Sequence, residues 1–219
     1  QYDDLLTDGK NSSTILVHHH QLSRWPLFLF LSTGALCCLF SAIYHLLSSV
    51  NEQVSERFQA LDYAGICLLI GGSNVPLTYY AFYCQKEIQR NYLICHFVMT
   101  IVGFYIVAHP TYSTYEYRAL KTAVFLILGG FGFIPFFHIY FTFGFMNCIK
   151  ELLIMGCYYI AGAIIYLFHI PERFSPGKFD IFGSSHQWFH IIVVIAIFQH
   201  FHGMYGFYLW RMNHTCPVL

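Results

Sequence analysis

Apolar runs of about twenty residues alternate with short polar breaks along almost the whole chain. In order they cover residues 25–47, 61–83, 92–109, 119–141, 151–169 and 186–210. A helix needs about 20 apolar residues to cross the roughly 30 Å hydrocarbon layer, so each run is a candidate span. The breaks, such as SSVNEQVSER, QKEIQR and PERFSPGKFD, hold most of the charge. Backbone groups in lipid must bond one another, and for six such runs this predicts a helical bundle. Pro76 and Pro135 fall inside spans, where neighbouring helices can tolerate a kink. The pattern therefore predicts an all-α polytopic membrane helical bundle in one domain, 25–210. A terminal segment, 1–24, precedes it and a tail, 211–219, follows it.

Composition agrees. Of 219 residues 57% are apolar, 20% aromatic and only 10% charged, against about 25% charged in a soluble domain. Lysine plus arginine and aspartate plus glutamate number 11 each, which excludes nucleic acid as a partner on charge grounds. The first residue is Gln, so the native start is expected upstream and the missing signal peptide carries no meaning. None of the eight cysteines forms a CxxC. Cys37, Cys38, Cys67 and Cys157 lie in apolar runs, where a thiol behaves as a small hydrophobe. Cys84 and Cys216 sit nearer water and could pair, but nothing in the sequence selects their partners.

Cationic residues leave the orientation open, with six on the side of the termini and five on the other. The two N-x-S/T sequons, Asn11-Ser12-Ser13 and Asn213-His214-Thr215, both lie on the side of the termini. They place that side outside or in a lumen, and the PERFSPGKFD loop in the cytosol.

The last span opens with SSHQWFH. Positions four apart share a helical face, so His186 and His190 can point at one object, and paired imidazoles suit zinc. The pair alone is more often structural than a metal site. Two other spans add to it. Ser41 and His45, four apart in SAIYH, close the first span, and Asp62 opens the second. Chain alternation puts all of these at the same membrane face, where ionisable groups cost free energy unless they meet a partner. Asp62 has a second reading as a helix cap, and Ser41 as a packing hydroxyl. The spacing of His96 with His109 and of His186 with His200 suggests haem-holding pairs, but a 13-residue step turns the side chain off its starting face. His138, His200 and His202 read as hydrogen-bonded interior or interfacial groups, and His18–His20 as a loop cluster.

SxxxH, an Asp opening the next span and HxxxH heading the last together resemble the progestin and adiponectin receptor family, its adiponectin-receptor branch above all. LDYAGICLLIGGSNVPLTYYAFYC and IPERFSPGKFDIFGSSHQWFH carry the likeness, which extends over nearly all of residues 40–206. The resemblance implies a seven-helix fold with a cytosolic amino terminus, an external carboxyl terminus and a zinc ion near the cytosolic face of the plasma membrane. The six spans here would be helices two to seven, the first being absent from this sequence. It implies His45, His186 and His190 as zinc ligands, Asp62 as a carboxylate reaching the metal through water, and Ser41 as the serine of its motif. It also implies an adiponectin-like ligand outside, cytosolic signalling partners, and ceramide-hydrolysing chemistry like that of the alkaline ceramidases.

Three histidines leave zinc one open position, as in catalytic sites. The expected reaction is hydrolysis of a ceramide-like amide to a fatty acid and a sphingoid base. Asp62 would take the proton of water and pass it to the leaving amine, while Ser41 orients Asp62 or helps hold the oxyanion. The alternative is a non-enzymatic hormone receptor whose zinc only ties helices together. A pore of the haemolysin III type is a third, more distant reading.

Overall fold

The computed structural model describes residues 22–112, 115–144, 147–179, 181–214 and 216. Segment 1–21, with Asn11 and His18–His20, lies outside the described residues, as does Thr215 of the second sequon. Among the described residues there is no strand. The α-helices are α1 (Trp25–Leu47), α2 (Glu52–Ala81), α3 (Lys86–Ala108), α4 (Arg118–Phe131), α5 (Phe133–Phe143), α6 (Asn147–Phe168) and α7 (Ser185–Asn213). With α4 and α5 taken together, six units are long and apolar enough to cross a membrane. The chain is a multi-pass helical membrane bundle.

Local chemistry sets the helix limits. Pro26 occupies the first turn of α1, where a missing N–H costs nothing. At the start of α2 the Asn51 side chain accepts from the Val54 N–H at 2.8 Å, a cap that satisfies an orphan donor. The helix therefore begins nine residues before the apolar run, because EQVSERFQA is amphipathic but still helix-forming. Asp62 consequently sits ten residues inside α2 rather than at its start, and the capping reading falls away. The fourth span is broken, and the break is at Gly132 rather than a kink at Pro135. A Cβ on Gly132 would stand 2.6 Å from Asn74 Oδ1. Pro135 lies in the first turn of α5, which tolerates it.

Helix α2 is the hub, packed on α1, α3 and α7, while α6 packs on α7. The α1–α2 contact is close enough that a Cβ on Gly65 would lie 2.9 Å from the Cα of Cys37. Such small-residue seams drive helix association in lipid, where apolar burial does not. At the end holding the termini, a core of Tyr80, Phe82, Met204 and Phe207 is fully buried. Arg211 donates there to the Tyr80 and Ala81 carbonyls at 3.1 and 3.3 Å, satisfying acceptors that the end of α2 leaves open. Cys84 and Cys216, whose pairing the sequence left undecided, are joined in a disulfide across the same end.

Gly65→Val forces α1 and α2 apart and should cost roughly 1–3 kcal/mol, as overpacking does. Gly129→Ala, whose Cβ meets nothing within 4 Å, should be neutral or stabilise by up to about 1 kcal/mol. Thermal unfolding of the two variants in the same detergent measures the contrast.

Candidate functional site

At the opposite end of the bundle from the disulfide, α1 finishes and α7 begins. His45 lies in the last turn of α1. His186 and His190 occupy successive turns at the start of α7, one face of one helix. The start of α7 is firmly set. Ser184 accepts from the Gln187 N–H at 3.4 Å, and Glu172 accepts from both the Ser185 N–H, at 2.7 Å, and the Ser185 hydroxyl, at 2.8 Å.

The three imidazoles meet. His186 Nε2 lies 2.9 Å from His45 Nε2 and 3.0 Å from His190 Nε2, and one nitrogen of each ring falls within 4.8 Å of the others. A ring nitrogen carries either one proton or one lone pair, so His186 Nε2 cannot form a normal hydrogen bond to both neighbours. A cation accepting a lone pair from each ring satisfies all three. A zinc ion with bonds of about 2.0–2.1 Å sets tetrahedral donors about 3.3–3.4 Å apart, a few tenths of an ångström beyond the two short contacts. The donor set fits a divalent cation of the zinc type.

Ser41 and Asp62 join this group. Ser41 is buried in α1 one turn before His45, with its hydroxyl 3.5 Å from His190 Nε2. Asp62, on α2, lines the same space as Ser41 and His45. The five residues singled out from the sequence thus share one site. Tyr44, Tyr166 and Phe189 pack their rings against the imidazoles, at centroid distances of 4.9, 5.5 and 5.6 Å, and restrict how far the rings can turn.

The same five residues line a cavity of about 520 Å³ that runs inward between α2, α4 and α6. Its wall is mostly apolar, with Phe125, Phe133, Leu152 and Met155 among the residues lining it. A space of this size and lining suits an apolar ligand with few polar groups. Gly129 and Gly130 keep the α4 side of the wall open.

One contributor was missed in the sequence. Lys121, one turn into α4, is only 3% exposed and lines this cavity. Its ammonium lies 4.4 Å from the centroid of the Tyr63 ring, and no carboxylate pairs with it among the described residues. Its place inside an apolar run was the available signal, since an ionisable residue within a span has functional meaning by default.

The other histidines among the described residues stand apart from the trio. His200 Nε2 donates to the Ser73 carbonyl at 3.1 Å in the interior, and His138 Nδ1 pairs with the Tyr92 hydroxyl at 3.0 Å. His202 lies 3.8 Å from Glu151 at the outer edge of α7.

Comparison with known proteins agrees with this picture. The haemolysin-III related family model matches residues 10–201. The chain is 38% identical to the adiponectin receptor protein of Drosophila melanogaster over 192 residues, 84% of this chain and 43% of that one. It is 38% identical to the progestin and adipoQ receptor-like protein 1 of Caenorhabditis elegans over 207 residues, 92% of this chain and 48% of that one. With the human progestin and adipoQ receptor family member 3 it shares 31% identity over 188 residues, 83% of this chain and 60% of that one. The chain thus spans about half the length of the curated relatives it matches first. With the family model covering most of its length and relatives above 30% identity, the chain belongs to the haemolysin-III related family, among the progestin and adiponectin receptors.

Proposed function

We propose that this chain holds zinc between His45, His186 and His190 and hydrolyses the amide of a ceramide-like lipid, in the setting of an adiponectin-type receptor. The observation that carries the reading is the meeting of three imidazoles, a carboxylate and a hydroxyl on the wall of a lipid-sized apolar cavity. Zinc, when bound, supplies the Lewis acidity that makes water reactive near neutral pH and polarises a carbonyl.

The residues of the chain do the rest. The cavity takes the acyl chain out of bulk lipid and sets the amide beside the trio. Asp62 accepts the proton of the attacking water and returns it to the leaving amine, a role that needs hydrogen-bond reach to both. Ser41, between Asp62 and His190, fixes the orientation of the carboxylate. Among the described residues the buried ammonium of Lys121 has an aromatic face and no carboxylate beside it, an arrangement that favours an anionic or strongly accepting partner. The carboxylate of the released fatty acid is such a partner, and the sphingoid amine is not. Products are one fatty acid and one sphingoid base.

The disulfide supports an orientation. Disulfides persist in oxidising compartments, and Cys84–Cys216 lies at the end of the termini, with Asn213 beside it. That end is proposed to face the outside and to receive an adiponectin-like protein. The trio then lies near the cytosolic face of the plasma membrane.

His190→Ala should weaken zinc binding by more than about a hundredfold, since loss of partners one shell further out costs up to that much; elemental analysis after dialysis against a chelator reads it. Asp62→Asn should keep the metal and lose about 10²–10⁴ in amide hydrolysis, assayed on ceramides of several acyl lengths. Retained metal with no cleavage by the wild-type protein would leave zinc as a tie between α1 and α7, and a receptor without enzymatic activity. Lys121→Met should weaken retention of a free fatty acid by about tenfold, as loss of a buried charge partner worth about 1.4 kcal/mol or more would, with sphingosine binding unchanged in the same binding titration.

A further inference from the structure

The loop that joins α6 to α7 turns its apolar side chains outward. Phe174 is 74% exposed, Ile181 89% and Phe182 85%, more than most side chains on the apolar spans themselves. The loop is not loose. Several of its polar groups bond one another and the start of α7. Glu172 accepts twice from Ser185. The Gln187 side chain accepts from the Gly183 N–H at 2.7 Å and donates to the Ile181 carbonyl at 3.0 Å. Gly183, at φ +79°, gives the left-handed turn that brings these groups together. The Ile181 carbonyl and the Gly183 N–H are therefore satisfied within the chain, while the side chains of Ile181 and Phe182 stay exposed among the described residues.

We infer that this loop is seated in the membrane, with Phe174, Ile181 and Phe182 buried at the headgroup–acyl boundary of the leaflet nearest the histidine trio. Continuity argues for lipid as the occupant. Both ends of the loop run directly into membrane-crossing helices, α6 and α7. Other large apolar side chains at the same end are exposed too, namely Leu46 and Val50 at the end of α1 and Trp188 in the first turn of α7. They extend the loop's apolar surface around this end of the bundle. Trp favours that depth, and an internally hydrogen-bonded segment with an apolar outer side is the kind that enters it. Exposed Arg173 and Lys178 flank the apolar residues, with stems long enough to hold their charges in the headgroup layer. Since the loop ends where the His186 turn begins, its seat fixes the depth of the trio relative to the lipid. This inference stands apart from the metal and from hydrolysis.

The test is a spin label placed in turn at Phe174→Cys, Ile181→Cys, Phe182→Cys and Lys178→Cys. The exposed Cys38, Cys95 and Cys157, together with Cys148, are replaced by Ala, and the full chain is reconstituted in phosphatidylcholine vesicles. Collisions with oxygen and with a water-soluble nickel chelate report depth. The expected result puts the labels at 174, 181 and 182 about 5–10 Å below the headgroups, dominated by oxygen, with the label at 178 reached by nickel. Each substitution removes an outward side chain, and an unchanged thermal midpoint shows that the bundle is intact. Nickel access at all three apolar positions equal to that at 178 would overturn the inference, and would point instead to a soluble partner for this surface.

Discussion

Within a bilayer the chain has no water with which to satisfy a polar group, so each one kept inside must find another. This constraint organises the bundle. Backbone amides are consumed by helices, and side chains by the meeting points between them. At the end of the termini, Arg211 serves the last carbonyls of α2, and Tyr80 reaches the carbonyl of Ser23 at 3.0 Å. At the other end the same demand gathers His45, His186, His190, Ser41 and Asp62, drawn from three helices.

The gathering depends on how closely α1, α2 and α7 approach. Gly65 lets the backbone of α1 lie against α2, and a Cβ on Gly72 would run into the Thr33 hydroxyl. Small residues thus bring together the helices that carry Ser41, His45 and Asp62. The start of α7 is then held by Ser184 and Glu172 rather than by apolar packing alone. Rigid placement of this kind is what a set of converging donors requires, because a displacement of one ångström would separate nitrogens now about 3 Å apart.

The cavity has a different origin. Helices α4 and α5 are short and meet at Gly132, and the glycines before it carry no side chains into the space. The opening between α2, α4 and α6 is consequently lined mostly by apolar groups, with Lys121 and Asp62 the charged side chains along it. It joins a large apolar wall to imidazoles and a carboxylate at one end.

The sequence by itself determined the number of spans, the helical class and the four-residue spacings that put Ser41 with His45 and His186 with His190. Those follow from local periods and from the length of a membrane crossing, which need no tertiary information. It could not set where α2 begins, because Asn51 and an amphipathic first turn extend the helix beyond its apolar run. Nor could it decide between a capping and a facing role for Asp62, pair Cys84 with Cys216, or bring Lys121 into the cavity. Each of those depends on which helices are neighbours and how they are rotated. Six spans with short connections allow several packings, and small side chains such as Gly65 select one only when they find the surface they fit.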